Sequence, residues 1–269
     1  MRPERGGNAL LCTLVIMTAT VIGPTLLIVC LVMTGAAALV YRLSDFGSAW
    51  AVPRAALRAT VQLAAVSAVL AIAISRLWSS IAVLVVMFGV AALTAARRTG
   101  AGHGSAWVVL ALASGLGAVI PLLLLTGLVP PTGVAVVPVV GIVLGGTMTA
   151  VSVAAKRTLD ALALRAGEVE AALSLGLSER DSRREVITRE LTDALLPNLD
   201  QTRTAGLVTL PGAFVGVLLS TGSASQAGAV QVLVLISLLL SQTCGVAVVG
   251  ELVARGKLTR SGALRTAVT

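Results

Sequence analysis

The sequence predicts an all-α protein, a polytopic integral membrane bundle of about seven transmembrane helices with a cytoplasmic helical elbow. Three observations carry that expectation. Hydrophobic residues make up 57% of the 269 positions and charged residues 12%, with a mean hydropathy of +0.97, which leaves too little polar surface to clothe a soluble globule. No acidic residue occurs between Asp45 and Asp160, and within that stretch apolar runs of about 20 residues recur, each long enough to cross a hydrocarbon core of roughly 30 Å. Residues 156–203, in contrast, hold 17 of the charged side chains and nine of the 12 acids. Helices are expected as the spanning elements because a barrel would read as short alternating segments.

The first crossing runs from about residue 24 to 41, with Arg42 and Asp45 just beyond it. Residues 1–23 form an apolar N-terminal extension. The apolar stretch from Ala9 to Val40 is longer than the core of a signal peptide and is expected to be retained, and a further N-terminal crossing is the rival count. Arg54 and Arg58 open a second helix reaching about residue 74, and Ser75-Arg76 makes a short turn. A third helix covers about 77–96 and is closed by Arg97-Arg98. A fourth covers about 105–126 before the uncharged turn at Pro130-Pro131, and a fifth covers about 134–155, ending at Lys156-Arg157. A sixth is expected from about 204 to 219 and a seventh from beyond Gln226 to about 254, followed by Arg255, Lys257, Arg260 and Arg265. Cytoplasmic loops favour Lys and Arg, so residues 42–58, 97–104, 156–203 and the tail belong on one side, with the N-terminus outside and the C-terminus inside. Gly141-x-x-x-Gly145 and Gly212-x-x-x-Gly216 place glycines one turn apart, a spacing that lets a neighbouring backbone approach, within one chain or between two.

Several functions are excluded by what the chain lacks. A net charge of +8 invites a nucleic-acid reading, but the arginines sit at the ends of apolar runs or among acids, and no basic face with interleaved aromatics tracks a phosphate backbone. Cys12, Cys30 and Cys244 show no C-x-x-C spacing and read as small hydrophobes. There is no G-x-x-x-x-G-K-[ST], so the chain does not bind ATP through a P-loop. His103 stands alone as a loop residue, and the serines have no membrane-placed His or acid to activate them. No set of metal ligands is legible.

The charged segment has a helical grammar. Leu159, Leu162, Ala166, Val169 and Leu173 repeat at spacings of three and four, predicting an amphipathic extension of the fifth helix. Gly176 stops it. Ser178-Glu179-Arg180-Asp181 resembles a capping box that opens a second helix, which Pro197 is expected to end, with Glu185 and Arg189 placed to pair one turn apart.

Glu170-Ala171-Ala172-x-x-x-Gly176 resembles the E-A-A-x-x-x-G signature of ATP-binding-cassette permeases, in which a small-residue helix and a glycine turn fit a groove on the ATPase subunit. The run from Ala194 to Gly212, containing Pro197-Asn198-Leu199-Asp200-Gln201-Thr202-Arg203 and Leu210-Pro211-Gly212, is similar to the signature of the FetB (YbbM) family, whose relatives include plant aluminium-tolerance permeases. Pro138-Val139-Val140-Gly141 through Met148, Ser174-Leu175-Gly176 and Arg58-Ala59-x-x-Gln62-Leu63 also match, so the resemblance covers most of residues 25–258. It implies an iron-export permease subunit in the bacterial inner (cytoplasmic) membrane, working as a homodimer in lipid, with ATP and Mg on a separate ABC ATPase and no cofactor in this chain. It implies a permease transmembrane domain at 24–258, a cytoplasmic coupling segment at 156–203, and a cytoplasmic tail at 259–269. Glu170, Ala171, Ala172, Ser174, Leu175, Gly176 and Ser178 would couple to the ATPase.

Two further groups of residues are singled out. Pro197, Asp200, Arg203, Leu210, Pro211 and Gly212 form a candidate transmission segment. There Asp200 and Arg203 either fix the re-entry of the loop or belong to a hinge in which Pro and Gly permit bending. Arg58, Gln62, Thr147, Met148 and Gln242, with Gln231, are the candidates to line a pathway, because polar groups in a span must be satisfied or used. For Gln62 and Gln242 an interhelical hydrogen bond is the competing role. A stand-alone secondary carrier or channel, and a non-transporting scaffold that recruits a soluble protein through the elbow, are the alternative functions. The carrier is disfavoured because only Asp200 and Glu251 offer carboxylates near a membrane end.

Overall fold

A computed structural model describes residues 23–73, 77–100 and 104–260. The N-terminal extension up to residue 22, the turn at 75–76, His103 and the tail beyond 260 lie outside the described residues. The described chain is helical: α1 Pro24–Leu43, α2 Ala51–Ala73, α3 Leu77–Thr99, α4 Trp107–Leu125, α5 Gly133–Leu164, α6 Ala166–Ser174, α7 Glu179–Thr204, α8 Gly212–Thr221 and α9 Ala224–Ala254. Five of these helices, namely α1, α3, α4, α5 and α9, are long and apolar enough to cross a membrane by length and composition. The protein is a polytopic membrane helical bundle.

The chain divides into two units, residues 1–72 and 73–269. In the first, Pro24 opens α1 at a position where a missing N–H costs nothing. Asp45, at φ 52, turns the chain after α1, and Tyr41 meets Phe46 edge to face at 5.7 Å across that turn. Arg58 and Gln62 then lie one turn apart on α2.

In the second unit α9 is central. It packs against α4, α5, α7 and α8, while α3 lies on α5. The largest buried cluster joins Val108, Ala111 and Leu112 of α4, Val151, Ala154 and Ala155 of α5, Ile187 and Ala194 of α7, and Val249 and Val253 of α9. These are mostly small or β-branched side chains, so the helices approach closely. A β-carbon at Gly115 would lie 2.5 Å from the Ser241 carbonyl oxygen, and one at Gly245 would lie 2.9 Å from Val151. Between these glycines the Thr147 hydroxyl lies 2.7 Å from the Ser241 hydroxyl and also donates to the Val143 carbonyl at 2.7 Å.

The structure departs from the sequence expectations in three places. The amphipathic extension of the fifth helix is interrupted at Arg165 (φ −114, ψ 36), so α6 is a separate helix. Pro197 does not end the next helix. α7 continues through it to Thr204, since Pro removes one hydrogen bond and the packing of Ala194 and Asn198 holds both sides. The sixth crossing is not a single helix from 204 to 219. A turn occupies 205–211, with Gly206 at φ 83, and α8 has only ten residues, about 15 Å of rise.

Candidate coupling elbow and membrane seam

The elbow is built from local caps. Leu177 N–H donates to the Ala172 carbonyl at 3.2 Å and Gly176 N–H to the Leu173 carbonyl at 2.9 Å, the paired bonds of a Schellman stop. Gly176 supplies the φ of +90 that this stop needs. Two residues later the Ser178 hydroxyl oxygen accepts from Asp181 N–H at 3.2 Å and the hydroxyl lies 2.7 Å from an Asp181 carboxylate oxygen, so the expected cap forms. Stop and start leave no slack between α6 and α7.

What the elbow presents is open. α6 buries none of its residues, Glu170, Ala171, Ser174 and Gly176 are exposed, and Ala172 is half-buried. Leu175 is 82% exposed, and Leu173 and Leu177 are also exposed. A short helix can leave so much apolar surface uncovered only because it is held from below. Arg165 pairs with Glu190 at 2.8 Å. Glu251 of α9 accepts two bonds from the Arg180 guanidinium at 2.8 Å each, one from Arg184 at 3.1 Å and one from Arg255 at 2.6 Å. The bond and charge of Glu251 push Arg180 further above its already high pKa. Arg260 reaches Asp160 at 2.6 Å. Leu191 lies over Gly250, so α7 meets α9 closely just beyond the cluster. Glu185 and Arg189 form no ion pair among the described residues; Arg183 and Glu179 do, at 3.0 Å.

The other singled-out residues fall into two places. Thr147 and Gln242 lie along the α5–α9 seam, with Met148 next to Thr147 on α5. Thr147 is fully buried in its bond with Ser241, Met148 packs between two clusters, and the buried Gln242 amide lies against Gly146. Arg58 and Gln62 belong to the first unit. In the transmission segment, Asp200 and Arg203 form an i,i+3 pair at 3.5 Å with both side chains exposed. Pro211 caps α8, Gly212 is its first residue, and Leu210 is exposed. Gln231 accepts from Phe214 N–H at 3.1 Å, which satisfies a free amide at the start of α8 from the face of α9. Of the expected close glycine pairs, Gly141 meets Met87 of α3, whereas Gly145, Gly212 and Gly216 face open space.

Sequence reasoning overlooked Ser241 and assigned no role to the cluster around Glu251. The signals were there: Glu251 is the one acid after Asp200, and Gly115 and Gly245 mark where α4 and α9 must touch. No group of three or more His, Cys, Asp or Glu suited to a metal occurs among the described residues.

These helices and their seam define a multi-pass membrane protein whose charged elbow stands apart from an apolar body. The chain belongs to the uncharacterised protein family UPF0014, whose model matches residues 24–257. It is 31% identical over 172 residues to the UPF0014 membrane protein STAR2 of Oryza sativa subsp. japonica, covering 63% of this chain and 59% of that one. It is 31% identical over 150 residues to Protein ALUMINUM SENSITIVE 3 of Arabidopsis thaliana, 55% of each. Over 109 residues it is 28% identical to the "Probable iron export permease protein FetB" of Escherichia coli (strain K12), 40% of this chain and 42% of that one. The matches thus span less than two thirds of each of these relatives. No solved structure gives a significant match.

Proposed function

We propose that this chain is the membrane-spanning permease subunit of an ABC transporter, exporting a metal ion such as iron with ATP and Mg bound on a separate ATPase subunit. Two copies would enclose the path, and each elbow would seat one ATPase through Glu170, Ala171, Ala172, Ser174, Leu175, Gly176 and Ser178. The observation that carries this reading is the combination at the elbow: rigid caps and ion pairs beneath, exposed leucines and small residues above. An ion-paired base can pass motion on, and an uncovered apolar tip needs a partner. In this arrangement the C-terminus and elbow face the cytoplasm of a bacterium, and the N-terminus faces outward. The similarity to a protein named as an iron export permease supports the choice of cargo.

The test is co-expression and co-purification of the full chain with a candidate P-loop ATPase of the ABC type. The wild-type chain is expected to retain the ATPase, and Leu175→Asp or Gly176→Trp to lose it while the permease remains folded. Equal retention by both variants would refute docking at the elbow. ATP-independent flux in proteoliposomes, driven by an ion gradient, would favour the secondary carrier instead.

A further inference from the structure

The exposed pair Asp200–Arg203 lies deeper than its position beside the charged loop implies. Leu191 rests on Gly250, and Phe214 bonds to Gln231. Along α9 those two contacts are 19 residues apart, about 29 Å, close to the roughly 30 Å of a hydrocarbon core. The chain from Leu191 to Phe214 must cover that distance. Its turn is compact, because the Thr204 carbonyl accepts from the N–H groups of Leu207, Val208 and Thr209, and Gly206 N–H closes onto the Thr209 carbonyl at 2.9 Å. The helical part from Leu191 to Thr204 rises about 20 Å, and the extended residues around Leu210 and Pro211 supply part of the remainder, so about half or more of that rise runs along α9. α7 therefore enters the membrane antiparallel to α9. Asp200 and Arg203 come about 14 and 18 Å along α7 past Leu191, between the levels of Gly250 and Gln231 on α9.

Charges within the layer do not face lipid, where an ionised side chain is strongly disfavoured. Yet Asp200 and Arg203 are 64% and 70% exposed, and Gln201 is exposed beside them. Pro197 on the same helix cannot donate to the Asp193 carbonyl, leaving one more acceptor there. Opposite Asp200 and Arg203, α7 carries the buried Ala194 and Asn198, and Gln201, seven residues after Ala194, is exposed at the edge of that buried face. The helix then breaks at 205–211, and interrupted helices at mid-membrane are where carriers place irregular backbone against water.

We propose that Asp200, Gln201 and Arg203 line a water-filled path within the membrane, beside the break between α7 and α8. The lining is mixed in charge, one carboxylate already paired with one guanidinium, and so suits a hydrated or chelated ion more than a bare cation needing several carboxylates. The inference rests on the transport reading only in calling this aqueous face a path.

The test needs no ATPase, so it stands whether or not one docks. In the full chain with Cys12, Cys30 and Cys244 replaced, reconstituted in lipid nanodiscs, Gln201→Cys keeps the ion pair. Val232→Cys and Ile236→Cys sit on the exposed apolar face of α9. Permanently charged methanethiosulfonate reagents react with thiolates, which form in water and not in hydrocarbon. The Gln201→Cys variant is therefore expected to react at least about ten times faster than Val232→Cys or Ile236→Cys. Adding Arg203→Gln leaves Asp200 alone and is expected to raise the ratio of cationic to anionic reagent rates by about tenfold. Labelling of Gln201→Cys no faster than that of Ile236→Cys, or a charge ratio that Arg203→Gln does not move, overturns the proposal.

Discussion

The α4–α5–α9 seam and the elbow are built by opposite means. At their closest approach the seam has no charged side chain; Gly115, Thr147, Ser241 and Gly245 bring three backbones together and a buried hydroxyl pair joins α5 to α9. The elbow has almost no burial, and its shape comes from a Schellman stop, a serine cap and ion pairs that tie the α5–α6 junction to α7 and α7 to α9. The difference teaches where each kind of interaction works. In a bilayer, where lipid is as apolar as leucine, contact follows from smallness and close fit. In water, a segment that buries little must hold its shape through local geometry and short-range charge.

The sharpest way to break this contrast is to add the same side chain to a glycine in each region. Gly115→Leu would collide with backbone at Ser241, so its cost is expected to exceed about 3 kcal/mol, read as lost yield and a lowered melting temperature in detergent. Gly167→Leu, in open space on α6, is expected to be neutral or to stabilise the helix by up to about 1 kcal/mol. If both variants melted alike, the seam would be no more tightly specified than the elbow.

Next in size, Thr147→Val would leave the buried Ser241 hydroxyl without its partner at a cost of about 1 kcal/mol, and the double variant Thr147→Val, Ser241→Ala is expected to cost less than the sum of the two single variants. Additive costs in that thermal-melt cycle would mean the hydroxyls are uncoupled.

Ser178→Ala is expected to cost about 1 kcal/mol locally, seen as faster amide exchange at Asp181 with little movement of global melting. Smallest in global effect is Glu251→Gln, whose ion pairs are open to solvent. Its expected signature is faster exchange across 179–184 while α9 stays protected. Unchanged exchange there would show that the arginines do not hold the elbow.

Much of this was legible in advance. Strong apolar runs bounded by arginines located α1, α3, α4, α5 and α9, and Gly176 and Ser178 announced the elbow because caps are local and need no tertiary partner. Pro197 misled, since a proline's local cost can be outweighed by packing on both sides of it. The sixth crossing misled for a different reason: the run from Leu207 to Leu219 is apolar throughout except for Thr209, and hydropathy does not reveal a chain folding back onto one carbonyl.

Composition and periodicity alone determined that this is a helical membrane protein with a water-facing elbow, because hydropathy and capping act over a few neighbouring residues. Only the tertiary structure decided that Thr147 meets Ser241, that one carboxylate, Glu251, gathers three arginines, and that Asp200 and Arg203 pair with both side chains exposed. Each of those depends on which helix faces which, and that is settled by contacts between residues far apart in the chain, 94 positions for Thr147 and Ser241 and 126 for Gly115 and Ser241.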